Sequence, residues 1–255
     1  MAKIFFSLAK NSSKTDANLP VPNYGNSGQV LSGDPFAEDL RGFGITGIIA
    51  ILLILLGGNL FISDIAFIPL GGLLVLAWKW QSKTPWSELG FIRPHSWIGT
   101  LLLGIVLGVG LKLMMKSFLM PLLGAPSINS AYHFLSGNNA LLPVAILFMM
   151  VAGLSEEMVF RGFLFNRFGK LLGPGFWSKA FTILITATLF GLGHLADQGF
   201  AGFEQAAIVG LIYGMIYIKT GKLWILTIAH AAFDITAVAI IYWKLESVVA
   251  HFFFK

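Results

Sequence analysis

Long apolar stretches dominate this chain of 255 residues. A helix that crosses the hydrocarbon core of a bilayer needs about 20 mostly apolar residues, and lipid favours helices because they satisfy their own backbone hydrogen bonds. Seven stretches meet this requirement: 43–62, 65–81, 97–117, 140–165, 178–196, 201–219 and 223–244. The pattern predicts an all-α fold, a polytopic transmembrane helix bundle of about seven or eight helices.

The composition supports an integral membrane protein. Hydrophobic residues make up 56% of the chain and charged residues 11%, whereas soluble domains carry about 25% charged residues. The formal net charge is +5, but the basic residues flank apolar segments, as topology and anionic lipid require. We therefore expect a lipid bilayer and no nucleic acid as partner. The chain has no cysteine, so disulfides, thiolate catalysis and cysteine-bound metal are out of consideration.

The polar residues divide the chain into a tail and a membrane domain. Residues 1–42 include a run rich in Asn, Ser, Gly, Asp and Pro, which predicts a flexible N-terminal tail outside the bilayer. Residues 43–255 form the predicted transmembrane helical domain, with a loop and a short helix expected at 118–139. Most Lys and Arg residues fall on one side if the N-terminus is cytoplasmic. We expect that orientation, in the cell (plasma) membrane if the chain is bacterial.

Two pairs of glycines have the spacing at which membrane helices approach closely. Gly104 and Gly108 form one pair, and Gly210 and Gly214 form the other. Without side chains at these positions, the backbones of neighbouring helices can come into contact. We interpret both pairs as packing glycines.

The first group of ionisable residues lies in Ser155-Glu-Glu-Met-Val-Phe-Arg161. Glu157 and Arg161 are four residues apart, so they share a helix face and can pair. Glu156 lies about 100° away around the helix and is left to face something else. A carboxylate that faces a polar cavity is a candidate general base. The alternative is a polar cluster at a helix end near the cytoplasmic interface.

Two further segments each carry a histidine. Phe190 and His194 share a helix face, although a single histidine at a helix end is more often structural than catalytic. His230 and Asp234 also share a face, which suits metal ligation by both or an Asp that orients the imidazole. The alternative for this pair is a structural brace. Because polar groups in lipid must find one another, the three segments together predict one shared cavity.

The depth of His194 conflicts with this prediction. At about 1.5 Å per residue, Glu156 and His230 fall in the cytoplasmic half of the membrane, whereas His194 falls nearer the outer side. The conflict disappears if Ala196–Gly202 is a loop at membrane depth that faces the cavity. We therefore predict such a loop and expect it not to be fully exposed.

Three motifs, EExxxR, FxxxH and HxxxD, follow one another in this order within apolar segments. Together they resemble the CPBP (Abi) family of intramembrane proteases over about residues 140–240. That family includes the type 2 CAAX-prenyl endopeptidases and proteins of bacteriocin processing or bacteriocin immunity. The resemblance implies an intramembrane endopeptidase acting on a peptide or protein substrate that is lipid-modified or membrane-bound.

The resemblance also implies roles for the motif residues. Glu156 would activate the attacking water, with Glu157 and Arg161 as a supporting pair. His194 and His230 would bind a metal ion or, without metal, polarise the carbonyl and stabilise the oxyanion. Asp234 stands where many members have Asn, and an ionised Asp cannot donate a hydrogen bond, although it is a good zinc ligand. The expected ligands of Zn²⁺ or another divalent metal are Glu156, His194, His230 and Asp234, with a metal-free mechanism left open.

Two other functions fit the same residues. Buried Glu, His and Asp side chains also form the proton relays and ion sites of transporters, although no internal repeat is visible in this sequence. A catalytically silent scaffold or immunity protein of the same fold is the second alternative. A titratable side chain at each proposed catalytic position favours the enzyme over the scaffold.

Overall fold

A computed structural model describes residues 34–57 and 68–254, and this part of the chain contains helices and no β-strand. The all-α prediction is therefore confirmed. Two short 3₁₀ helices, Trp86–Leu89 and Ser130–Leu135, lie in the connections. The α-helices are α1 Pro35–Arg41, α2 Ile45–Leu55, α3 Ile68–Gln81, α4 Trp97–Leu122, α5 Leu142–Leu172, α6 Phe176–Thr220, α7 Leu223–Tyr242 and α8 Glu246–Ala250.

Four of these helices, α4 to α7, are long and apolar enough to cross a membrane, as judged by length and composition. Helix α2 is apolar but shorter. Large apolar side chains such as Leu102, Val144 and Leu147 are exposed on the outside of the bundle. Lipid chains accept such a surface, whereas water would not. The chain is thus a membrane protein built around long apolar helices.

Helix α6 contains two of the predicted segments, 178–196 and 201–219, as two helical arms that join directly at a kink. The kink is at Gly199, where φ is 65° and ψ is −163°. Glycine adopts this left-handed φ without steric strain, so one residue suffices to redirect the chain. The predicted loop at Ala196–Gly202 was therefore wrong. Its partial exposure was as expected, with Gly202 buried and Gly199 exposed.

Helix α5 extends further than the predicted segment 140–165 and reaches Leu172. Directly after Glu157 its hydrogen bonding changes to a π-helical pattern over Met158–Leu164. Short π-helical stretches inside α-helices frequently mark functional sites. The Glu-Glu-x-x-x-Arg motif lies at the start of this stretch.

The predicted tail is partly helical. Its residues 1–33 lie outside the described residues, but Pro35–Arg41 form α1 instead of irregular chain. The Asp34 side chain accepts hydrogen bonds from two backbone N–H groups of the first turn, and a proline follows it, which are standard signals for a helix start. The Leu40 carbonyl at the other end accepts from Trp78 Nε1 at 3.0 Å. The helix therefore packs against the bundle.

The connection at 118–139 agrees with the sequence. Helix α4 continues through Pro121 to Leu122, and the remaining residues form a loop with the 3₁₀ helix Ser130–Leu135. This is the short helix that the sequence predicts.

Helix α7 is held closely between α4 and α5 by glycines. A Cβ atom on Gly108 of α4 would lie 2.1 Å from the Ala229 carbonyl oxygen, and one on Gly153 of α5 would lie 2.9 Å from the Ala231 nitrogen. The backbones therefore touch on both sides of α7. The packing role predicted for Gly108 is confirmed, and Gly210 has the same role between the two arms of α6, where it contacts Ala187.

Candidate active site

The predicted pair between Glu157 and Arg161 is present at the centre of the bundle. Arg161 Nη1 donates to Glu157 Oε1 at 2.8 Å, and both side chains are buried. Arg161 Nη2 also donates to the Gly210 carbonyl at 3.3 Å, and its guanidinium lies over the Phe190 ring. The pair therefore ties α5 to both arms of α6.

Glu157 has a second partner that the sequence did not reveal. His230 Nδ1 lies 2.8 Å from the same Oε1 atom. A carboxylate oxygen that already receives a hydrogen bond from arginine acts as an acceptor, so the proton of this bond belongs to Nδ1. In the neutral imidazole, the lone pair of His230 is then on Nε2. Glu157 fixes both the orientation and the tautomer of the imidazole.

His230 Nε2 faces two further carboxylates. It lies 3.5 Å from Glu156 Oε2 and 3.5 Å from Asp234 Oδ2. These distances exceed the usual range for an N–H···O hydrogen bond. When the imidazole is neutral, the two oxygens and the nitrogen are all acceptors, and they are close enough together for one small molecule to contact more than one of them.

His194 is oriented in the same way by a different partner. Its Nδ1 lies 2.9 Å from the Phe190 carbonyl oxygen, one turn earlier in α6. A carbonyl can only accept, so Nδ1 carries a proton, and in the neutral imidazole Nε2 has the lone pair. The Phe190 ring packs edge-on against both His194 and His230, with ring centroids 4.8 and 5.7 Å apart. This contact explains why Phe and His share a helix face in the FxxxH motif.

Four of the six candidate residues line one cavity of about 80 Å³, namely Glu156, His194, His230 and Asp234. This volume is several times the minimum that holds one water molecule. Glu157 and Arg161 are not part of the lining and lie behind it. The structure thus brings His194 to the same cavity as the other three residues, as the sequence predicted, although by a break at Gly199 and not by a loop.

The cavity also contains polar residues that the sequence analysis did not single out. Lys112, which is only 7% exposed, donates from Nζ to Gln205 Oε1 at 3.2 Å and lies over the Phe233 ring. Tyr132 accepts from Gln198 Nε2 at 3.3 Å. A lysine in the apolar segment 97–117 is a signal that could have been used, because membrane helices rarely bury a charge without a function.

A second cavity, of about 100 Å³, adjoins the first. Lys112, Gln198 and Gln205 line both cavities, and Lys116 and Glu246 line the second. The shared lining residues make the two cavities neighbours within the bundle. The polar lining therefore extends from the histidines and carboxylates of the first cavity into the second cavity.

Two of the four expected metal ligands are imidazoles and two are carboxylates. His194 and His230 present Nε2, and Glu156 and Asp234 present carboxylate oxygens, which are donor types that zinc accepts. Within residues 34–57 and 68–254, however, no three His, Asp or Glu side chains converge as a metal-binding group. The side chains as placed do not fit a bound metal, and zinc binding stays a prediction from the sequence.

Known proteins match the part of the chain that carries this site. Residues 138–236 match the family model described as Type II CAAX prenyl endopeptidase Rce1-like, which confirms the resemblance that the motifs predicted. A protein of Bacillus subtilis (strain 168) described as uncharacterized protein YyaK is 36% identical over 97 residues, which are 36% of this chain and 31% of that protein. The chain therefore spans about a third of the length of this curated relative. No solved structure gives a significant match to the chain.

Proposed function

We propose that the chain is an intramembrane endopeptidase that hydrolyses a peptide bond with a water molecule activated by Glu156. The proposal rests on the different surroundings of two neighbouring carboxylates. Glu157 accepts hydrogen bonds from Arg161 and His230 and lies behind the cavity. Glu156 lines the cavity beside His230 Nε2. Glu157 thus holds Arg161 and His230 in place, and Glu156 is available for proton transfer.

The acceptors of the cavity suit a water molecule. Water has two protons, and it can donate one to Glu156 and the other to an imidazole Nε2 atom. In their neutral forms both imidazoles present Nε2 as an acceptor, because their Nδ1 atoms donate to Glu157 and to the Phe190 carbonyl. A water held in this way directs an oxygen lone pair away from the acceptors and toward a substrate carbonyl carbon.

Hydrolysis then proceeds by general base and general acid catalysis. As the water oxygen bonds to the carbonyl carbon, Glu156 takes one of its protons and the carbonyl π electrons move to oxygen. The tetrahedral intermediate collapses when the C–N bond breaks, and the proton on Glu156 passes to the departing nitrogen. The products are a carboxylic acid and an amine, and Glu156 returns to the carboxylate form.

The substrate that we propose is a membrane-associated peptide or protein. A cavity buried among apolar helices is reached most directly by a segment that already lies in or on the bilayer. The match to a CAAX prenyl endopeptidase family model supports the inclusion of lipid-modified chains in this class. A prenylated C-terminal peptide is accordingly the first substrate to test.

The proposal is tested by Glu156→Gln, which keeps the shape of the side chain and removes the base. Native membranes with wild type or the variant are compared by proteomics, and we expect peptide products that require wild type and uncleaved precursors that accumulate with the variant. Glu204→Gln is the matched control, since Glu204 lies on α6 and lines neither cavity. Identical product patterns for wild type and Glu156→Gln would contradict the protease and favour a silent scaffold. Proton flux that depends on Glu156 would favour a transporter.

A further inference from the structure

Hydrolysis requires a hydrogen-bond donor for the carbonyl oxygen. The resemblance assigns this role to the histidines, but a neutral imidazole whose Nε2 atom accepts from the water has no second proton to donate. Negative charge develops on this oxygen as the water attacks, and a donor placed there is among the largest contributions to catalysis. The carboxylates of Glu156 and Asp234 can only accept when ionised. The histidine Nδ1 protons are already donated to Glu157 and to the Phe190 carbonyl. The donor must therefore come from another part of the cavity wall.

The hydrogen-bond donors on the rest of the cavity wall differ in whether they also line the second cavity. Tyr132 lines the first cavity and is absent from the lining of the second. The other neutral or cationic donors belong to both cavities, and they are Lys112, Asn129, Gln198 and Gln205. Tyr132 is thus the only donor, apart from the histidines, that the described lining assigns to the first cavity alone.

The hydrogen bond from Gln198 leaves the hydroxyl proton of Tyr132 available. Gln198 Nε2 donates to the Tyr132 hydroxyl oxygen at 3.3 Å, which occupies one lone pair of that oxygen. Because the amide is the donor in this contact, the phenolic proton is free to point elsewhere. Gln198 lies next to Gly199, so the break in α6 sits beside the residue that supports Tyr132.

The backbone around Tyr132 is held at the start of its 3₁₀ helix. Its 3₁₀ helix, Ser130–Leu135, starts at Asn129, whose side chain accepts from the Ala131 N–H at 3.1 Å. The Asn129 N–H in turn donates to Glu246 Oε1 at 2.7 Å. The ring packs against a small apolar cluster that includes Leu135 and Ile241. The hydroxyl is therefore presented from a fixed position.

The protonation state of Tyr132 suits a donor. Burial, and after it the charges of Asp234 and Glu156, raise the pKa of the Tyr132 hydroxyl above its ordinary value. The phenol therefore stays neutral at any pH at which Glu156 is an active base.

From these observations we infer that the Tyr132 hydroxyl binds the carbonyl oxygen of the scissile peptide bond and stabilises the oxyanion, with Gln198 as its positioning residue. This inference rests on the proposed function, because it names a further catalytic group for the same reaction. Tyr132 lies before the family match at residues 138–236, so the match does not assign it.

The test uses the purified full-length chain in phosphatidylcholine–phosphatidylglycerol vesicles with a library of quenched fluorescent peptides, prenylated and unprenylated, as probes. Tyr132→Phe keeps the ring and removes the hydroxyl. We expect kcat to fall about 100- to 1,000-fold with KM changed less than about threefold, as for the loss of one oxyanion donor. Tyr242→Phe is the matched control: its hydroxyl bonds to Asn139 outside the cavity, and we expect it to retain wild-type kcat.

Gln198→Leu provides a second variant, which decides the question if Tyr132→Phe does not fold. It should lower kcat about tenfold, and it should add nothing further to Tyr132→Phe, because both act on one hydroxyl. A kcat of Tyr132→Phe or Gln198→Leu within about twofold of wild type would overturn the role inferred for Tyr132 and would leave the proposed function unaffected. Wild type that cleaves no probe faster than Glu156→Gln would overturn the proposed function and this inference with it.

Discussion

His230 Nδ1 lies 2.8 Å from Glu157 Oε1, so a carboxylate on α5 sets the tautomer of an imidazole on α7. The same oxygen receives Arg161 Nη1 at 2.8 Å. The second glutamate of the Glu-Glu sequence is therefore a structural centre, and the first is left to the cavity. These two neighbouring residues should respond differently to the same substitution.

Glu157→Gln should destabilise the protein, whereas Glu156→Gln should not. The first variant leaves the buried Arg161 guanidinium without a counter-charge, and breaking a buried ion pair by changing one partner costs about 3–5 kcal/mol. The second changes a carboxylate whose contact with His230 Nε2, at 3.5 Å, is too long for a hydrogen bond, and its effect should be confined to catalysis. The measurement is thermal unfolding of the two variants in detergent micelles, followed by tryptophan fluorescence. Equal unfolding temperatures for the two variants would contradict the assigned roles.

Substitution of the two histidines should likewise affect stability to different extents. His230→Ala removes the donor to Glu157 and opens space beside a buried ion pair, so we expect a loss of about 1–3 kcal/mol in stability as well as loss of activity. His194→Ala removes a side chain whose protein partner is a carbonyl of its own helix. Its stability should stay within about 1 kcal/mol of wild type while activity is lost.

Unfolding curves and cleavage assays on the same preparations distinguish the two cases. A fully active His194→Ala variant would remove His194 from the proposed site. A stable but inactive His230→Ala variant would show that the bond to Glu157 contributes little to folding.

The sequence predicted those parts of the site that depend on local spacing. Glu157 and Arg161 are four residues apart on one helix, and the rule for such pairs applies wherever the helix packs. The bond between His230 and Glu157 joins residues 73 positions apart, and it depends on the packing of α5 against α7. Helix periodicity alone contains no information about which face of one helix meets which face of another.

The same distinction explains the wrong loop and the missed residues. Gly199 is compatible both with a loop and with a one-residue break in a helix, because glycine tolerates either backbone. Only the surrounding packing decides between them. Tyr132 lies in a connection between helices where no periodic pattern exists, so nothing local indicates that its ring turns toward the cavity.

Zinc dependence, which the sequence predicts, can be tested independently of the role of Glu156 as the general base. If zinc is required, 1,10-phenanthroline should abolish cleavage by the wild type, and added Zn²⁺ should restore it. Asp234→Asn replaces a good zinc ligand by a poor one and should then raise the Zn²⁺ concentration needed for half-maximal activity about tenfold or more. Cleavage that survives the chelator, with an unchanged Zn²⁺ response in Asp234→Asn, would contradict the metal prediction. The proposed role of Glu156 would be unaffected.

The close approach of α4 to α7 predicts a difference between two glycines one half-turn apart. A methyl group at Gly108 would lie 2.1 Å from the Ala229 carbonyl oxygen, next to His230, whereas a methyl group at Gly110 would meet nothing within 4 Å. Gly108→Ala should therefore push the helices apart, destabilise the protein by about 1–3 kcal/mol and lower activity by displacing His230. Gly110→Ala should be neutral or slightly stabilising, because alanine is the better helix former. Both variants are compared by thermal unfolding and by cleavage of the same peptide. If Gly108→Ala matched Gly110→Ala in both measurements, α7 would not be held by this contact, and the fixed position of His230 would need another cause.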